Sequence, residues 1–104
     1  MTGKLIVFVT CQSASEAEII ARTVVEEHLA ACVNVMPGVR SCYMWEREMK
    51  WSEEVLLLIK TTEVRFLALQ TRIRELHSYD VPEIVGVPIG IGFDKYLDWV
   101  GQSV

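Results

Sequence analysis

The chain has 104 residues, of which 51% are hydrophobic and 23% are charged, and its formal net charge is −4. This length suits a single domain spanning residues 1–104, and the composition excludes a largely disordered chain. The acidic balance, with no run of Lys or Arg, argues against nucleic acid and against an anionic membrane as partners. No apolar run approaches the roughly 20 residues that a membrane-spanning helix needs.

Cysteine usage indicates a reducing compartment. Cys11, Cys32 and Cys42 are an odd number of thiols without a CxxC pair, which argues against a disulfide framework and a zinc ribbon. The first residues, MTGKLIVFVTCQ, are typical of a strand that leads into a helix rather than of a signal peptide. The sequence therefore predicts a cytoplasmic protein.

The first half of the chain predicts a strand followed by an amphipathic helix. Residues 4–10 are β-branched and aromatic, as in a buried strand. Ser13 and Ser15 each precede a Glu by three positions, the spacing of a helix-capping box. Residues 12–31 then predict a helix lying on a sheet, with one apolar stripe made of Ala17, Ile20, Ala21, Val24, His28 and Ala31.

The middle of the chain predicts a long hairpin. Residues 32–46 are typical of a strand that Pro37-Gly38 interrupts as a bulge or kink. Residues 53–62 predict the returning strand, and residues 47–52 the tip between them. This hairpin is longer than a sheet of about six-residue strands requires.

The last third predicts a helix, a strand and a short helix. Residues 63–77 repeat apolar side chains at helical spacing, and Pro82 ends that helix. Residues 81–92 predict a fourth strand, and FDKYLDWVGQ a short C-terminal helix. The order β-α-β-β-α-β indicates an α+β, ferredoxin-like sandwich with a long β2-β3 hairpin.

Aromatic residues at the far end of the hairpin predict self-association. Tyr43, Trp45, Met49 and Trp51 lie on a part of the hairpin that overhangs its own sheet. An overhang exposes apolar rings and unpaired edge amides, and a second copy can cover both. A closed cyclic oligomer leaves no edge open, so cyclic symmetry is expected.

Two residues that flank the bend after the second helix are candidate metal ligands. His77 ends the helix, and Glu83 begins the next strand after a polar bend. Imidazole and carboxylate suit copper, zinc or nickel, although two ligands are fewer than a typical site uses. A neighbouring subunit can supply the rest, with Cys11, expected in an exposed loop, as a soft donor. The structural alternative is that His77 caps the helix and Glu83 pairs with a Lys or Arg.

Four further side chains are candidates for a ligand cleft between subunits: Tyr43, Trp45, Lys60 and Tyr79. The alternative for the hairpin aromatics is interface packing, and the alternative for Lys60 is an ion pair. The chain has no GxSxG, HExxH, GxGxxG or Walker-type motif, so no enzymatic activity is predicted. Glu46, Glu53 and Glu54 are expected to form a solvated face of the hairpin.

Four segments resemble the CutA family of divalent-cation tolerance proteins. They are LAACVNVMPG (29–38), Tyr43-x-Trp45-Glu46 with EEVLLLIKT (53–61), His77-x-Tyr79-x-x-Pro82-Glu83-Ile84, and Tyr96-Leu97-x-Trp99. The resemblance implies a ferredoxin-like homotrimer, cytoplasmic in bacteria, associated with tolerance to copper and other divalent metals. It also implies likeness in fold and assembly to the PII signalling trimers, so a small-molecule sensor or adaptor with clefts between subunits is the alternative function.

The chain departs from the family pattern at two places. Arg47-Glu48 stands where the family commonly has Gly-Lys, so the hairpin turn is expected to differ. Val9 stands where some members carry a Cys that has been proposed as a copper ligand. Cys11, two residues later, would lie on the same face of the strand if the strand continues.

Overall fold

The structure, a computed structural model that describes residues 1–104, contains four strands and three helices. In chain order they are β1 (Lys4–Cys11), α1 (Ala14–Glu26), β2 (Cys32–Trp45), β3 (Glu48–Thr62), α2 (Phe66–Leu76), β4 (Ile84–Pro88) and α3 (Asp94–Gln102). The strands form one antiparallel sheet in the order β2-β3-β1-β4. This arrangement confirms the predicted α+β, ferredoxin-like topology. None of the three helices has the length and apolarity needed to cross a membrane.

The main core lies between the sheet and helices α1 and α2. Because side chains alternate along a strand, the odd-numbered residues of β1 and of the second half of β3 point toward these helices. The buried stripes of the two helices pack against these side chains. The fully or nearly fully buried core residues include Val7, Val9, Leu57 and Ile59 from the sheet and Ala17, Ile20, Val24, Leu69 and Ile73 from the helices.

Helix α1 is shorter than predicted. Its N-cap is Ser13, whose hydroxyl accepts a hydrogen bond from the Glu16 N–H at 3.2 Å. At the other end His28 adopts a left-handed φ of 58°, and the N–H groups of Leu29 and Ala30 donate to the Val24 carbonyl. This turn ends the helix before His28. The prediction that His28 belongs to the apolar stripe of the helix is therefore wrong, because the residue is exposed.

The hairpin bulges where predicted but turns earlier than predicted. The register of β2 against β3 shifts between Met36 and Val39, and Gly38 has a φ of 81°. The tip is formed by Glu46 and Arg47, not by residues 47–52, and both have positive φ, 51° and 69°. A two-residue hairpin turn requires this backbone. Asn-Gly is its usual sequence signal, so a Glu-Arg turn was not recognisable from residue type.

Half of the hairpin projects beyond the rest of the sheet. Strand β1 pairs with β3 only from Val55 to Thr62, so residues 39–54 extend without a third strand. We call these residues the arm. Its exposed large apolar side chains are Tyr43, Met44, Trp45, Met49 and Trp51. The molecule is accordingly elongated, 45 × 25 × 22 Å, which confirms the predicted overhang.

The second face of the sheet is largely uncovered. Strand alternation and register place Ile6, Phe8, Leu56, Leu58, Met36, Val85 and Val87 on it, and we call it the open face. Helix α3 covers one end, where the Tyr96 hydroxyl lies 3.5 Å from the Cys32 thiol. Elsewhere Met36 is 46% exposed and Val85 is 50% exposed. A predominantly apolar sheet face of this extent is typical of an interaction surface.

The fourth strand is also shorter than predicted. It covers Ile84–Pro88 instead of residues 81–92, and its five residues pair with β1 from Leu5 to Val9. After Pro88 one more backbone bond, from the Ile89 N–H to the Lys4 carbonyl, joins the chain to β1, and α3 begins at Asp94.

Candidate functional site

A thiol, a carboxylate and an imidazole converge at one end of the sheet. The ligand atoms of Cys11, Glu16 and His77 all lie within 4.8 Å of one another. Cys11 is the last residue of β1, Glu16 lies in the first turn of α1, and His77 is the C-cap of α2. The packing of both helices on the same face of the sheet brings the three side chains together.

The His77 ring is held on both nitrogens. Nε2–H donates to the Thr10 carbonyl at 2.8 Å, and Nδ1 accepts from the Tyr79 N–H at 3.1 Å. A carbonyl only accepts, so the bond to Thr10 places a proton on Nε2. Glu16 Oε1 lies 3.2 Å from Nδ1 and accepts from the Ser78 N–H at the same distance. Through these hydrogen bonds, the buried His77 ring connects β1 to the bend after α2.

The prediction that Cys11 lies in an exposed loop is wrong. Strand β1 continues through this residue, and its side chain faces the helices with no exposed surface. Burial, followed by the nearby carboxylates of Glu16 and Glu54, raises the pKa of the Cys11 thiol to about 12. The thiol is thus protonated and shielded at neutral pH, and Cys42 on the arm is the exposed cysteine.

We expect a thiol reagent at pH 8 to modify Cys42 quickly and Cys11 only after unfolding, because burial and proton retention both slow Cys11. The folded-state pKa of Cys11, about 12, lies above its ordinary value of 9.0. Its contribution to stability is therefore complete below pH 9 and is lost as the pH rises toward 12. Mass spectrometry of the labelled protein and urea unfolding at pH 8 and pH 10 check both points. Rapid labelling of Cys11 in the folded protein would contradict the first expectation. Equal stability at pH 8 and pH 10 would contradict the second.

Tyr79 extends the cluster toward the arm. Its hydroxyl donates to Glu54 Oε2 at 2.8 Å, and its ring centroid lies 4.8 Å from that of His77. Burial, followed by the bond to Glu54, raises the pKa of Tyr79. Glu54 is buried, so the prediction that it belongs to a solvated hairpin face is wrong. The polar cluster thus runs from Cys11 to Glu54.

Glu83 lies outside this cluster. It is exposed, whereas the next residue, Ile84, packs against the core. Its place beside His77 is taken by Glu16, which sequence reasoning treated only as a helix-capping residue. The capping spacing was the available signal, because it places a carboxylate in the first turn of α1, close to the end of β1.

The remaining cleft candidates are widely separated within one chain. Lys60 lies on the open face and donates to Asn34 Oδ1. Trp45 lies at the arm tip opposite Glu48 and is 63% exposed. Glu48 and Lys60 are twelve positions apart along β3, which is about 40 Å at the usual rise per residue. Lys60 and Trp45 can therefore share a cleft only if two chains contribute to it. Tyr43 lies on the arm, where its hydroxyl contacts that of Ser52 at 2.9 Å.

Comparison with known proteins gives a consistent result. The family model described as "CutA1 divalent ion tolerance protein" matches residues 5–103. The "Divalent-cation tolerance protein CutA" of Thermus thermophilus is 47% identical over 98 residues, which cover 94% of this chain and 95% of that protein. A solved structure of the Thermus thermophilus protein superposes with a TM-score of 0.94 at 46% identity and covers 96% of this chain and 97% of that one.

A plant relative shows that the same unit also occurs within longer chains. The "Protein CutA, chloroplastic" of Arabidopsis thaliana is 40% identical over 99 residues, and this chain spans 95% of its own length but only 54% of that protein. The family match, the identity and the superposition all extend over nearly the entire chain. This chain belongs to the CutA1 family of divalent ion tolerance proteins.

Proposed function

We propose that this chain is the subunit of a non-enzymatic, cytoplasmic homotrimer that acts in divalent-cation tolerance and binds copper or a similar ion weakly. The family membership supports the relation to divalent cations. The observation that carries the binding proposal is the convergence of the Cys11, Glu16 and His77 ligand atoms within 4.8 Å. Sulfur, nitrogen and oxygen donors together suit copper or zinc better than magnesium or calcium.

The donor set fits such an ion with an adjustment. Donors around a tetrahedral ion with bonds of about 2.0–2.3 Å lie about 3.3–3.8 Å apart, so the cluster would have to contract. Cys11 would release its proton, and Nδ1 of His77 would exchange the Tyr79 N–H for the ion. Each change costs free energy, which is consistent with weak binding. Glu83 is not required, because Glu16 supplies the carboxylate.

Titration of the metal-free protein with Cu(II) and with Zn(II) tests the binding proposal. We expect His77→Gln to weaken binding at least about tenfold, since even the loss of an outer-shell partner costs that much. Glu83→Gln and His28→Gln are matched controls, because both residues are exposed and lie outside the donor set. Calorimetry measures the affinities. Equal binding by wild type and His77→Gln would rule out this site.

Two exposed apolar surfaces support the trimer. Most of the open face, and the arm, lack a covering element within the chain. A cyclic assembly in which each arm reaches a neighbour would bury both without leaving an open end. Light scattering should then give a mass of about 35 kDa, three times the 11.8 kDa of one chain. A folded monomer at micromolar concentration would contradict this proposal.

One observation favours the alternative of a sensor with ligand clefts between subunits. Lys60 lies on the predominantly apolar open face and is bonded to the neutral side chain of Asn34, not to a carboxylate. An amine in that position can bind an anionic small molecule where subunits meet. A thermal-shift screen of metabolites in the presence of a chelator separates the two functions. Stabilisation that disappears in Lys60→Met would favour the sensor.

A further inference from the structure

One face of the arm carries three sulfur atoms and an indole ring. In the register of the hairpin, Met44 lies opposite Met49 and Cys42 lies opposite Trp51. Because side chains alternate along both strands, these four residues share one face, which we call the sulfur face. Arg40 confirms the assignment, since its guanidinium stacks over the Trp51 ring at 4.7 Å from the centroid.

The opposite face of the arm is separately identified by a side-chain contact. The hydroxyls of Tyr43 and Ser52 meet there at 2.9 Å, and Trp45 shares this face by alternation. Along β3, Met49 and Trp51 lie on the side of the arm opposite Ser52. The sulfur face can therefore stay exposed in an assembly in which a neighbour covers the opposite face of the arm, with Tyr43 and Trp45.

The sulfur atoms can reach a common point. Directly opposed residues of an antiparallel pair, such as Met44 and Met49, have Cβ atoms about 4.5–5.5 Å apart. Cys42 precedes Met44 by two residues, which is about 7 Å along the strand. A methionine side chain has three rotatable bonds and adapts to the position of a partner. Met44 and Met49 are each 64% exposed, and Cys42 is an exposed free thiol. None of these three side chains packs into the core.

Thiolate and thioether donors select soft ions such as Cu(I). We propose that the sulfur face binds one monovalent thiophilic ion, Cu(I) or Ag(I), through Cys42 Sγ, Met44 Sδ and Met49 Sδ. The Cys42 thiol releases its proton to solvent as the sulfur–metal bond forms, and the Trp51 ring flanks the bound cation. One chain supplies every donor, so the site depends neither on the proposed trimer nor on the cluster around His77.

Titration with Ag(I), and with Cu(I) under anaerobic conditions against a chromogenic chelator, tests the proposal. The test variants are Cys42→Ser and the double variant Met44→Leu/Met49→Leu, which preserves side-chain volume. Met36→Leu is the matched control, because Met36 is half-exposed but lies on the open face. We expect one ion per chain with quenching of tryptophan fluorescence, and a loss of affinity of at least about tenfold in both test variants.

The outcomes separate this site from the proposed divalent site. Retained Ag(I) binding in His77→Gln, together with its loss in the methionine double variant, supports the sulfur face and holds even if the divalent site fails. The same affinity in wild type and in the double variant, or no Ag(I) binding by the folded wild type, overturns the proposal. Circular dichroism of each variant establishes that it is folded.

Discussion

Leu58→Asp is expected to convert the particle from three chains to one. Leu58 lies on the open face, opposite Phe8 on β1 and Asn34 on β2, and is only partly buried within its own chain. In the proposed trimer a neighbour would complete its burial. An unpaired carboxylate there would cost several kcal/mol in each subunit, and the trimer contains three such sites. Light scattering should then report about 12 kDa instead of about 35 kDa, from the chain mass of 11.8 kDa.

Ile19→Asp is the matched control for this experiment. Ile19 is 55% exposed on α1, a helix that lies on the other face of the sheet. The same change in charge and size at this position should leave three chains together. A folded Leu58→Asp variant that still forms the full assembly would show that the open face is not the interface. Far-ultraviolet circular dichroism distinguishes dissociation from unfolding.

Trp45→Ala is expected to destabilise the assembly by about 3–5 kcal/mol, the range for removing a large buried aromatic side chain. Within one chain this side chain is 63% exposed and contributes nothing to the core cluster. A loss of that size would therefore come from a neighbouring chain. Urea unfolding at several protein concentrations measures it, because the stability of an assembly rises with concentration.

Trp45→Phe is the conservative control for the arm tip. It keeps an aromatic ring and removes the indole N–H, so we expect less than half of the loss caused by alanine. A loss below about 1 kcal/mol for Trp45→Ala, the size typical of a surface substitution, would show that solvent surrounds the ring in solution. That result would remove the arm tip from the interface and leave the open face to be tested alone.

Local patterns predicted most of the fold. Strand β1 was recognisable because it is a short run of β-branched and aromatic residues, and α2 because its apolar residues repeat at helical spacing. The bulge at Pro37-Gly38 followed from the chemistry of those two residues. The ends of the elements were less predictable. His28 and Arg47 adopt left-handed backbone without being glycine, so residue type carried no signal for either turn.

The candidate site was predictable only in part. His77 was identified from its residue type and its place at the end of a helix. Its partner Glu16, 61 positions earlier, and the burial of Cys11 could not be foreseen, because they depend on how α1 and α2 pack across β1. Likewise, only the register of the hairpin separates Lys60 from Trp45 and places Met44 opposite Met49. Periodicity is a property of one segment, whereas these contacts arise between segments, and packing of the whole sheet decides them.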